Sequence, residues 1–187
     1  MVDETKDKVL SAALDVFSER GFAAAGTKAI AAAAGVNEVT LFRLFGSKRN
    51  LYLEVFTHFW VVPAEDHLLG GLSGDFRRDL VRIADSFADL FIKNDKIIRM
   101  SIKDIEQFPE ILETLQGDPD RFAAILSGYL SRLPAGVELA DSPEKLARVF
   151  VAAFMGSTLF FLKRSDETAV RRFASDFAEL FYRGARA

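Results

Sequence analysis

Residues 27–48 read TKAIAAAAGVNEVTLFRLFGSK. Ile30, Ala34, Val36, Leu41 and Leu44 are apolar where two crossing helices would pack. Ala31, four residues before Gly35, carries only a methyl group and lets the helices approach closely. Gly35 can take the positive φ that ends the first helix, and Asn37 is a good N-cap for the second. The pattern is that of a helix-turn-helix, with the second helix, about 37–45, placed to enter a DNA major groove. At ~1.5 Å per residue it spans about 12 Å, the width of that groove. A glycine-containing helix corner with no DNA role is the competing reading of the same spacing.

Outward from this stretch the periodicity stays helical. Val9, Leu10, Ala13, Leu14 and Phe17 fall at helical spacing before Gly21, and no alternating run suggests a strand. The expected fold is all-α. Beyond residue 47 the pattern predicts helices near 48–62, 75–93, 95–107, 109–116, 119–133, 143–164 and 167–184. The breakers between them include Pro63, the run from Leu69 to Gly74, and the turn around Gly117 and Pro119. Ser142 before Pro143 is a good helix start. The expected division is a three-helix DNA-binding domain over 1–47 and a helical ligand-binding and dimerisation bundle over 48–187.

The 48 residues from Val9 to Phe56 resemble the tetracycline-repressor (TetR) family of bacterial transcription regulators. The matching elements are the Ala-Ala-Leu-x-x-Phe helix through Phe17, Glu19-Arg20-Gly21-Phe22, Ile30-Ala31 and Ala33-Ala34-Gly35-Val36. Thr40-Leu41-Phe42, Phe45-x-Ser47-Lys48 and Leu51 follow. The resemblance implies that Lys48, opening the fourth helix, contacts a phosphate, and that Thr27 and Lys28 touch the DNA backbone. It places Thr40 and Arg43 on the groove-facing side of the recognition helix and Asn37 and Glu38 at its N-terminal end. Arg43 is the best candidate for a base contact, because a guanidinium fits guanine O6 and N7.

Several residues depart from the family pattern. Phe42 stands where the family usually has Tyr, so a hydroxyl contact to phosphate is lost. Val39 replaces a small residue. Glu38 is acidic where a neutral or basic residue is commoner; it can accept from cytosine N4 or repel phosphate. Ala25 and Gly26 replace the frequent Thr and Ser.

The 187 residues carry 24 Lys plus Arg and 27 Asp plus Glu, a net charge of -3, which excludes a globally basic nucleic-acid coat. The bias is local. Residues 27–50 hold Lys28, Arg43, Lys48 and Arg49 against Glu38 alone. With no Cys there is no disulfide and no thiolate chemistry. No phosphate loop or nucleophile elbow is present, so an enzyme is not expected, and no cofactor. His58, Glu65, Asp66 and His67 match no metal-ligand spacing, and no metal is expected. The N-terminus lacks a signal-peptide pattern, and the run Val149–Leu162 is too short to cross a bilayer; a cytoplasmic protein without a membrane partner is expected.

Fourteen of the 18 Phe follow residue 50. Together with the family resemblance, they suggest a pocket for a small hydrophobic ligand, with Phe59, Trp60, Phe87, Phe91, Met100, Phe108, Phe122 and Phe154 as lining candidates. His58, Arg99, Lys103, Tyr129 and Thr158 are the candidate polar groups. The last two helices carry apolar stripes suited to a homodimer, with Phe150, Phe154, Phe161, Phe173, Phe177 and Phe181 at the interface. A two-fold dimer implies a palindromic operator. The expected function is a repressor released from that operator by the ligand. The alternatives are a helical ligand-binding dimer with weak or lost DNA binding, and an activator.

Overall fold

The computed structural model describes residues 2–62, 65–160 and 166–187, and the backbone alone at 2, 3, 66, 67, 116 and 117. The described helices are α1 (Val2–Ala24), α2 (Thr27–Ala33), α3 (Glu38–Phe45), α4 (Lys48–Phe59) and α5 (Glu65–Leu69). They continue as α6 (Phe76–Lys93), α7 (Asp95–Asp104), α8 (Pro109–Leu130), α9 (Pro143–Phe160) and α10 (Glu167–Gly184). A short 3-10 turn, Ile105–Gln107, follows α7. Among the described residues there is no strand beyond an isolated bridge between Leu139 and Arg186.

The chain forms two compact units. The first comprises Met1–Val61 with Asn94–Glu113, the second Val62–Lys93 with Thr114–Ala187. In the first, α1 packs on α2, α4 and α7. Its apolar face, Val9, Leu10, Ala13, Leu14 and Phe17, is buried as the 3.6-residue period requires. Gly21 turns α1 sharply, with φ 75° and ψ 169°, a region open to glycine alone. The carbonyls of Ser18 and Glu19, left without helical partners near this break, accept from Lys103 Nζ at 2.7 and 2.8 Å.

In the second unit α6 packs on α10, with α5 and α9 beside them. Rings fill the space between. Phe150 lies 5.6 Å from Phe87 and 5.0 Å from both Phe177 and Phe181; Phe154 lies 5.5 Å from Phe87 and 5.2 Å from Phe173. Asp79 is the polar centre of this unit. Its buried carboxylate accepts from the Ser73 and Gly74 N–H groups at 2.7 and 2.9 Å, the Ser73 hydroxyl at 2.9 Å and the Tyr129 hydroxyl at 3.0 Å.

Two expectations fail on helix limits. Residues 109–130 form one helix, not two broken at Gly117 and Pro119. An interior proline costs ~3 kcal/mol through its missing N–H and its clash with the preceding turn. Burial of Ile111 before it and of Phe122 and Leu126 after it outweighs that cost. Residues Glu65–Leu69, read as part of a connection, form α5, whose Leu68 is buried. Phe161 and the end of the expected 143–164 helix lie outside the described residues, as do the side chains of Asp66 and His67.

Asp79 predicts an acid limb of stability. Burial raises its pKa, but the four donors outweigh burial and hold it below the usual carboxylate value. A folded-state pKa below the unfolded one stabilises the protein above the unfolded value, and this contribution is lost as pH falls through the folded one. Thermal melts of the wild type and Asp79→Asn from pH 7 down to 3 should differ accordingly. The wild type should be the more stable at neutral pH, and the gap should narrow below about pH 5.

Candidate nucleic-acid interface

The turn between α2 and α3 is built from backbone hydrogen bonds. Val36 N–H donates to Ala31 O at 3.0 Å and Gly35 N–H to Ala32 O at 3.1 Å, closing the Schellman pattern around Gly35, φ 70°. Asn37 then caps α3, its Oδ1 accepting from Thr40 N–H at 2.7 Å. Leu41 and Phe45 bury the inner side of α3, and Ile30 and Ala31 that of α2. The outer side of α3 carries Val39, Phe42 and Arg43, one helical turn apart, with Glu38, Thr40 and Leu44 half-buried beside them. Val39 is 76% exposed and Phe42 42%, an unusual amount of apolar surface for one short helix.

The four cations of the motif fall into two kinds. Lys28 and Arg43 are exposed, and among the described residues neither forms a side-chain hydrogen bond or ion pair. Arg49 is engaged. Its guanidinium donates to Gln107 O at 2.9 Å and to Glu110 at 2.8 Å, and lies 4.7 Å from the Phe108 ring centroid. Lys48 opens α4 behind the Ser47 cap. Its ammonium stands 4.6 Å over the Phe22 ring and 3.4 Å from Ala23 O. Burial lowers its pKa, and the Asp104 charge acts the other way.

Thr27 and Glu38 meet. The Thr27 hydroxyl donates to Glu38 Oε1 at 2.5 Å, joining the first residue of α2 to the first of α3. Nothing in the local spacing signals this bond, because it depends on how the two helices cross. The sequence gives as little warning of the support under α4. There Tyr52, fully buried, shares its hydroxyl proton between Met100 O at 2.9 Å and Asp104 Oδ2 at 3.2 Å. Burial and the Asp104 charge push its pKa up. Asp104 also accepts from Phe22 N–H at 2.7 Å.

The other site candidates separate between the units. Met100 and Phe108 are core residues of the first, where Phe59 and Trp60 are half-buried. Phe87, Phe91, Phe122 and Phe154 pack together in the second. The polar candidates are largely engaged in structure. Tyr129 donates to Asp79, Lys103 holds the α1 carbonyls, Arg99 pairs with Asp95 at 3.0 Å and Thr158 donates to Phe154 O. His58 is exposed, its ring edge-on to Phe59. Phe150 and Phe154, expected at a dimer interface, are 0% exposed within their own unit, and Phe181 is buried with them. These rings face the chain's own interior. The outward residues of α9 are Val149, Ala152, Ala153 and Phe160, with Leu180 outward on α10. Phe173 and Phe177 are half-buried.

This geometry, a capped recognition helix presented beside a short supporting helix, is a helix-turn-helix DNA-binding domain of the kind carried by transcriptional regulators. Residues 9–55 match the model for bacterial regulatory proteins, tetR family, and this segment is a DNA-binding domain of that type. An uncharacterized HTH-type transcriptional regulator of Bacillus subtilis, YvkB, is 26% identical over 163 residues, 87% of this chain and 85% of the relative. FasR of Mycolicibacterium smegmatis, an HTH-type transcriptional activator, is 36% identical over 99 residues, 50% of this chain and 42% of that protein. In fold, the chain is similar to NalD of Pseudomonas aeruginosa, the secondary repressor of the MexAB-OprM multidrug efflux pump. The TM-score is 0.71 at 22% identity, over 98% of this chain and 96% of that one.

Arg43 and Lys28 should separate in a binding assay. Arg43→Ala should cost ~1–3 kcal/mol on the preferred site and relax the preference at one base position. Lys28→Ala should weaken binding about equally on all sequences and reduce the salt slope by about 1.

Proposed function

We propose that the protein is a homodimeric repressor that binds a palindromic operator and leaves it when a small hydrophobic molecule binds the helical bundle. Residues 1–47 supply the DNA contacts, and 48–187 carry ligand binding and dimerisation. Within the latter, 48–61 and 94–113 also brace the DNA-binding segment, as members of the same compact unit. The observation that carries this reading is the exposed outer side of α3, where Arg43 stands unpaired among the described residues. Lys48 is a phosphate contact, and Asn37 acts as the cap that orients α3. Phe42 gives an apolar contact in place of a phosphate-binding hydroxyl. The protein works in the cytoplasm, where its DNA is. No described helix is long and apolar enough to cross a membrane.

Dimerisation uses the outward side of α9 and α10, where Val149 is 51%, Phe160 80% and Leu180 71% exposed. The ligand site draws on the aromatic residues of the second unit around Phe87, Phe91, Phe122 and Phe154. A ligand that binds one conformation of the dimer better than the other shifts the population away from the DNA-competent one. FasR is an activator and NalD a repressor, so the sign of regulation turns on where the operator lies relative to the promoter.

Selection of binding sites from random duplex DNA at low and moderate salt tests the DNA reading. The expected result is a palindrome with half-sites about one helical turn apart, ~34–36 Å. No enrichment at either salt would leave the ligand-binding helical dimer, a reading that Glu38, Val39 and Phe42 favour by weakening phosphate contact. Leu180→Arg tests the interface. Light scattering should give the mass of one chain where the wild type gives two, and operator binding should fall by more than tenfold.

A further inference from the structure

We propose that Glu38 reads cytosine in the operator and that Thr27 is the positioning residue that holds it to this task. The proposal rests on the DNA-binding reading above and concerns what α3 recognises.

Glu38 begins the recognition helix and is half-buried. Its Oε1 accepts from the Thr27 hydroxyl at 2.5 Å. That bond fixes the carboxylate against α2 and leaves Oε2 with no protein partner among the described residues. No Lys or Arg among the described residues pairs with Glu38, so none of them neutralises its charge through an ion pair. An ionised carboxylate is an acceptor only. On the major-groove edges, donors are offered by the exocyclic amino groups of cytosine and adenine. Adenine places the N7 acceptor beside its amino group, and a carboxylate facing that edge meets a repulsive lone pair. Cytosine N4 offers its donor without that neighbour. Phosphates also repel the carboxylate, which therefore gains only where a base amino group meets it.

Thr27 accordingly serves a purpose other than the phosphate contact that the family resemblance implies. Its hydroxyl proton is already donated to Glu38. A side chain pinned at one oxygen loses less rotamer freedom on binding than a free glutamate, which sharpens its discrimination.

The test is selection from random duplex DNA with the wild type, Glu38→Gln and Thr27→Val, followed by affinity measurements on the selected duplex with each base at the assigned position. Both substitutions preserve side-chain size, and circular dichroism melts check that the variants fold. The wild type should require a cytosine in each half-site, its replacement costing about tenfold in affinity. Glu38→Gln should keep the rest of the motif and change that cytosine to adenine, because a carboxamide pairs with adenine N6 and N7. Thr27→Val should reduce the cytosine preference severalfold while leaving the salt slope unchanged. An identical motif for wild type and Glu38→Gln overturns the cytosine assignment while the regulator reading stands. A uniform affinity loss in Thr27→Val, with a lower salt slope and intact cytosine preference, makes Thr27 a phosphate contact and overturns its positioning role. No enrichment with the wild type overturns the DNA-binding reading itself, and this proposal with it.

Discussion

The buried carboxylate of Asp104 holds the first unit together. It accepts from Phe22 N–H at 2.7 Å, just past the break at Gly21, and receives the Tyr52 hydroxyl at 3.2 Å. A carboxylate out of water is costly unless its lone pairs are filled, so the positions of its donors are tightly constrained. One donor belongs to the end of α1 and another to the middle of α4. Their shared acceptor therefore fixes the two helices between which α2 and α3 are strung. The Tyr52 ring, 4.1 Å from the Phe108 ring and 4.9 Å from Phe17, extends this join into an apolar cluster. Lys103, next in sequence to Asp104, secures the Ser18 and Glu19 carbonyls before the break. Gly21 suits the join for a steric reason. At φ 75° a side chain would be strained, while its Cβ, 3.6 Å from both Asp104 oxygens, would make only an ordinary contact.

How much of this was legible in the sequence depended on the range of the interaction. The helix-turn-helix could be read because its parts are local. Gly35, Asn37, Ile30 and Leu41 act within a few positions of one another: Gly35 takes φ 70°, Asn37 caps α3, and Ile30 and Leu41 are buried, while Ala34, Val36 and Leu44 are half-buried. The role of Arg49 could not be read this way. Beside Lys48 it resembles a DNA-facing cation, but its partner Glu110 is 61 residues away. The burial of Phe150 and Phe154 within the chain is likewise set by distant residues. A helix apolar nearly all round does not announce which side meets its own chain, and only the positions of Phe87, Phe173 and Phe177 decide it. Pro119 reversed a local rule because buried residues on either side held α8 continuous.

The sparse charge of the interface bears on how such a protein selects a site. Engaging Arg49 with Glu110 leaves, of the charges in residues 27–50, Lys28, Arg43 and Lys48 against Glu38. Few neutralised phosphates release few counterions, so the sequence-independent part of the binding energy is small. That part attracts a protein to every competing site in a genome, and the useful quantity is the ratio of specific to non-specific affinity. A carboxylate at the head of the recognition helix moves this ratio in the same direction. On the reading proposed for Glu38, it lowers affinity for all DNA through repulsion and lowers it least where a base amino group stands opposite. Val39 and Phe42 act alike, since apolar surface gains nothing from phosphate and something from a thymine methyl. On the proposed DNA-binding reading, Glu38, Val39 and Phe42 thus share one physical consequence: they trade general attraction to DNA for dependence on the base edges.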